Sequence, residues 1–114
     1  MNTDPKIVVA ADAGISIQRH DDVSDAIGSS LGRSLILSES DLGPDFFDLR
    51  TGLAGELFQK FVNYGVRVAI VIPTPEVYGE RFAELAYEHA THPTVRIVPS
   101  IADAKSWLLV SGKD

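Results

Sequence analysis

The chain has 114 residues, with ten lysines and arginines against sixteen aspartates and glutamates, a formal net charge of −6, and no cysteine. That length suits a single domain with one core, expected over residues 6–110. The missing thiols exclude disulfides, thiolate metal sites and a cysteine nucleophile, and the acidic balance, with no run of basic residues, disfavours binding to a nucleic-acid backbone.

Lys6 to Ala11 reads as a strand, Asp12 to Gly14 as a tight turn and Ile15 to Gln18 as a second strand, so an opening hairpin is predicted. From Asp22, Val23, Ile27 and Leu31 recur every four residues and predict a helix ending at Gly32. Ser34 to Leu37 is a compact apolar run, as in a buried strand. Pro44 suits the first position of a short helical turn. Along the main helix Leu49, Leu53, Leu57 and Phe61 form an apolar row flanked by Ala54, Phe58 and Val62, and Gly65 ends it in the left-handed conformation. Val66 to Ile72 is too continuously apolar for a strand with one wet face, so it is expected at the centre of the sheet.

Thr74 and Pro75 predict the start of a helix carrying Tyr78, Phe82, Leu85, Ala86 and His89 on one face, read as core and not as a cofactor box. Thr94 to Val98 is the last strand. Ser100 and Asp103 have the spacing of a capping box, and Ala104, Trp107 and Leu108 give the closing helix an inner face. Met1 to Pro5 and Ser111 to Asp114 read as frayed ends. The order ββαβαβαβα predicts an α/β fold: a mixed, mostly parallel, single-layer sheet of four or five strands with helices packed on it. Phe58 and Phe61 should sit in its core with Val68 and Ile70, where truncating either ring to alanine costs about 3 to 5 kcal/mol.

The densest group of polar and conformationally special residues is Asp48, Arg50, Thr51 and Gly52, at the start of the main helix. A hydroxyl there can cap free amides, and the helix dipole would favour a phosphate, so Thr51 is a cap first and a possible phosphosite second. Arg50 can hold a phosphate or a partner carboxylate, or pair with Asp45 or Asp48. Gly52, Gly55, Gln59 and Asn63 share the opposite face of the helix, where a close approach is expected, by a neighbouring element of the fold ahead of a second copy in a homodimer. Glu39, Asp41, Asp45 and Asp48 concentrate negative charge that could serve a divalent metal or acid–base chemistry, but their spacing matches no calcium loop. His89 and His92 lack a third zinc ligand nearby, and His20 has no partner from which a triad could be built. Gly-Leu-Ala-Gly at residues 52–55 lacks the ending of a phosphate loop. No catalytic set, cofactor or metal site is expected.

The string DFFDLRTGLAGELFQKFVNYGVRVAIV, with Ser100, Ala104, Trp107 and Leu108, resembles a family of short bacterial proteins, the domain-of-unknown-function family DUF4180. That resemblance implies no activity. More loosely, the alternation of elements and the segment Asp48 to Leu53 are similar to the anti-sigma-factor antagonist fold, STAS, in which an aspartate, a phosphorylatable serine or threonine and Gly-Leu open a helix after a strand. Thr51-Gly52-Leu53 and Asp48 match these positions, whereas Leu49-Arg50 is one residue too many and no adjacent serine is present. The expected function is a non-enzymatic regulatory module that binds an unidentified protein partner through Asp48, Arg50, Thr51 and Gly52. The alternative is a small-ligand or divalent-metal protein, or an enzyme, using the acidic residues before the main helix. With no apolar run long enough to span a membrane, a cytoplasmic location is expected.

Overall fold

The structure, a computed structural model, describes residues 6–111; the remaining residues of both predicted frayed ends lie outside that range. In chain order the main elements are β1 (Ile7–Val9), the helical turn α1 (Ala10–Ala13), α2 (His20–Ser30), β2 (Ser34–Ser38), α3 (Pro44–Phe47), α4 (Leu53–Tyr64), β3 (Val68–Val71), α5 (Glu80–Glu88), β4 (Val95–Val98) and α6 (Ile101–Ser111). All four strands pair in parallel, in the spatial order β1-β2-β3-β4.

Parallel neighbours need a crossover, and crossovers of one hand between strands laid down in sequence order carry their helices to one face. α2, α4 and α5 accordingly share one core with Val8, Leu35, Leu37, Val68, Ile70, Val95 and Ile97. The other face is covered by α6, whose Ala104, Trp107 and Leu108 pack on Ile7, Ile36, Ala69, Val71 and Val98. Alternate residues of each strand thus point into different apolar layers, which is why β3 has no polar side chain and is buried throughout. Phe58, Phe61, Val68 and Ile70 lie in the core as expected, and Gly65 caps α4 with φ 67°.

The opening hairpin is not formed. Ala10 to Ala13 coil into a turn closed by Gly14 (φ 72°), since alanine favours helix once the strand has ended. The expected second strand shrinks to one parallel bridge: the Ile17 amide donates to Asp41 (2.8 Å) and the Gly43 amide to Ile17 (2.9 Å). Three smaller expectations also change. Leu31 and Val62 are exposed, at 54% and 46%. The predicted helix from Thr74 is split by Gly79 (φ 106°) into a 3-10 turn, Pro75–Tyr78, and α5. Leu49–Thr51 forms a 3-10 turn of its own before α4.

Candidate functional site

Loops that leave the carboxyl ends of β2 and β3 face each other across an open cleft of about 760 Å³. One wall is Pro44, Phe47, Asp48, Leu49 and Arg50; the other is Tyr78, Gly79, Glu80, Arg81 and Phe82. The carboxyl edge of a parallel sheet is the common place for a site, because the loops there converge while the strands hold them rigid. Aromatic packing builds the floor. Phe47 and Tyr78 stack with centroids 3.8 Å apart and planes at 11°, Phe82 meets both edge-on at 5.3 and 5.7 Å, and buried Phe46 supports the cluster from below. The Tyr78 hydroxyl donates to Glu39, whose acceptance of that hydrogen bond pushes the phenol up to about 12.

Asp48, Arg50, Thr51 and Gly52 lie together on and beside the first wall. Asp48 caps the 3-10 turn, its Oδ1 accepting from the Arg50 amide at 3.1 Å. The Arg50 guanidinium grips the same carboxylate through Nε–Oδ1 and Nη2–Oδ2 contacts of 3.0 Å each, which holds the Asp48 carboxyl below its ordinary range. The Thr51 hydroxyl donates toward the Asp45 and Asp48 carbonyls (2.7 and 2.9 Å) and accepts from the Leu53 amide at 3.2 Å. That side chain joins α3 to the first turn of α4, so phosphorylating it would remove the donated bond. Gly52 is not on the helix face as expected. It is the residue before α4, at φ 79°, a conformation that a β-carbon disfavours.

The rest of that expected face, Gly55, Gln59 and Asn63, is exposed. A β-carbon on Gly55 would meet nothing within 4 Å, so none of the described elements packs closely there, contrary to expectation. Three of the four acidic residues have separate partners. Glu39 accepts from Tyr78, buried Asp41 accepts from the Ser38 amide at 2.8 Å, and Asp48 holds Arg50. Among the described residues no three carboxylate, imidazole or thiol side chains gather as a metal site requires. His89 and His92 stack at 5.0 Å, but their Nδ1 atoms serve the backbone, His89 toward Leu85 and His92 as acceptor for the Thr94 and Val95 amides. His20 contacts Glu56, tying α2 to α4. That hydrogen bond, with the glutamate charge, raises its pKa against the effect of burial.

The sequence did not single out Phe47 or Arg81, and its helical spacing put Tyr78 in the core. A hint was the Pro-Thr-Pro-Glu-Val-Tyr-Gly stretch directly after a buried strand, the signature of an ordered loop at the carboxyl edge.

A four-stranded, wholly parallel α/β domain with an aromatic-floored cleft at its carboxyl edge is the class that fold and site define. The chain belongs to the family described as domain of unknown function (DUF4180), whose profile matches residues 2–108. Neither a curated protein nor a solved structure matches it. The looser likeness to STAS domains draws no support from these comparisons. Among the described residues, no helix is long and apolar enough to cross a membrane.

Proposed function

We propose that the protein is a small cytoplasmic regulatory module of bacterial origin that binds a protein partner at the cleft between α3 and α5. The observation that supports this most is the stacked Phe47–Tyr78 floor flanked by charges of both signs: Asp48 and Arg50 on one wall, Glu80 and Arg81 on the other. An apolar floor within a charged rim is the layout of a surface that desolvates one anchoring side chain and orients its neighbours by charge. The partner would present a segment with an aliphatic or aromatic anchor flanked by a carboxylate for Arg81, which makes no ion pair among the described residues. Arg50 supplies a second guanidinium, already oriented by Asp48. Thr51 and Gly52 shape the loop and are not themselves the contact.

The test is a capture from lysate of the source organism with wild-type protein and Arg50→Ala/Arg81→Ala in parallel. Any protein retained only by the wild type is then purified and titrated against both. A partner whose affinity falls at least about tenfold in the double variant supports the reading. Equal binding by both proteins removes the cleft from it.

A second reading follows from the cleft volume, which falls within the roughly 300 to 1,000 Å³ usual for small-ligand sites. In it the cleft takes an amphipathic small molecule, and a thermal-shift screen in which hits fail on Tyr78→Ala would favour that reading over a protein partner.

A further inference from the structure

At the amino edge of the sheet, opposite the cleft, a second concavity of about 360 Å³ is lined by Lys6, Gly32, Arg33, Ser34, Gly65 and Arg67. Each of its three cations directly precedes a strand: Lys6 leads into β1, Arg33 into β2 and Arg67 into β3. In the sequence they are scattered. Parallel register brings them together, because Ile7 lies beside Ser34 and Leu35 beside Val68, and adjacent strands run about 5 Å apart. Two backbone bonds fix the arrangement, from the Ser34 amide to Lys6 (2.7 Å) and from the Leu35 amide to Arg67 (2.9 Å).

Among the described residues no carboxylate lines this pocket, although the chain carries sixteen aspartates and glutamates against ten lysines and arginines. Arg33 and Arg67, set at the starts of the neighbouring strands β2 and β3, repel each other, and an anion held between them would relieve that repulsion. Arg67 is half-buried and oriented, with Nη1 directed at the Leu108 carbonyl (3.4 Å) and the guanidinium 5.9 Å from the Trp107 ring centre. Arg33 is exposed and forms no ion pair among the described residues. Both glycines leave the mouth open, since a β-carbon on either would meet nothing within 4 Å. Among the described residues, no aromatic or aliphatic side chain lines the pocket.

We propose that this pocket binds a small, polar phosphorylated molecule through its phosphoryl group. Guanidinium forks match the oxygens of a phosphate in pairs, so a dianion offsets the charges of Arg33 and Arg67. The volume leaves room beyond the phosphoryl group, and a lining without apolar side chains selects a hydroxylated remainder over a stacked base. None of these residues belongs to the cleft, so the site is independent of the function proposed above.

Thermal unfolding of the full chain tests it, with inorganic phosphate, glycerol 3-phosphate and sodium chloride compared at matched ionic strength. Both phosphate compounds should raise the Tm of the wild type beyond chloride, glycerol 3-phosphate at the lower concentration. Arg33→Glu should abolish that excess, and Arg81→Glu, at the other edge of the sheet, should keep it. Should Arg33→Glu fold poorly, calorimetric titration of Arg33→Gln with glycerol 3-phosphate replaces it, with an expected affinity loss of about tenfold or more. A wild-type shift no larger than that of chloride, or binding left intact by the Arg33 variants, overturns the site. A response to inorganic phosphate without one to glycerol 3-phosphate overturns the ligand class.

Discussion

Tyr78 lies flat on Phe47, 3.8 Å between ring centres, and so fastens the loop after β3 to the segment after β2. The Tyr78 hydroxyl adds a second tie, to Glu39. Tyr78→Phe keeps the stack and loses the hydrogen bond, for an expected cost of about 0.5 to 1.5 kcal/mol. Tyr78→Ala should cost a further 0.5 kcal/mol or more, roughly the least an aromatic pair contributes beyond area. Denaturant unfolding of the two variants separates the ties. Glu39→Gln should also bring the phenol back from about 12 toward 10.0, read by ultraviolet titration.

Thr51 and Arg50 should separate a structural role from a binding role. Thr51→Ala removes a hydroxyl bonded to both sides of the α3–α4 junction, so about 1 kcal/mol of stability should be lost. Arg50 forms a pair whose guanidinium side is 90% exposed, and Arg50→Ala should leave stability nearly unchanged. Chemical denaturation checks both. A large loss in Arg50→Ala would assign that residue to the fold and not to recognition.

Ser30 sits fully buried at the end of α2, and its hydroxyl has no partner among the described residues. A buried hydroxyl without a partner carries its desolvation cost uncompensated, so Ser30→Ala should stabilise the protein by about 1 kcal/mol. A raised unfolding midpoint with an unchanged denaturant slope is the expected result. Destabilisation would mean that the hydroxyl has a partner.

Gly55 tests whether the outer face of α4 is free. Alanine there meets no neighbour and should stabilise by about 0.5 to 1 kcal/mol. In a homodimer packed through Gly55, Gln59 and Asn63, Gly55→Glu would dissociate the pair. Sedimentation at several concentrations reads this, and a wild-type monomer throughout removes the homodimer.

Two histidines should respond to pH with opposite sign. Burial, then the charges of His89 and Arg96, pushes His92 below its ordinary 6.5, and its Nδ1 accepts two amides only when unprotonated. Its contribution is therefore present above pH 6.5 and falls as pH drops below that value toward the folded pKa. His20, raised chiefly by its hydrogen bond with Glu56, contributes below 6.5 and loses that contribution as pH rises through its folded pKa. Unfolding midpoints at about pH 5.5 and about pH 8 should show His20→Gln costing more at the acid end and His92→Gln more at the alkaline end. A single shared sign for both variants would refute the assignment.

Local periodicity and end signals by themselves determined most of the elements and their inner faces. The unbroken apolar run Val66 to Ile72 marked the doubly covered β3, the spacing of Leu53, Leu57 and Phe61 marked the buried side of α4, and Ser100 with Asp103 marked the start of α6, where the Asp103 amide does bond to Ser100 at 3.1 Å. These signals act within a few residues, which is the range over which periodicity and capping are encoded. Only the tertiary structure decided that Ile17 bridges to Leu42 instead of turning back on β1, that Phe47 meets Tyr78, and that Lys6, Arg33 and Arg67 share one pocket. Each of those is a meeting of distant segments set by parallel strand register. A residue's neighbours across a sheet follow from which strands pair and in what alignment, and that is settled by burying both faces of the sheet at once, a condition that no local stretch of sequence carries.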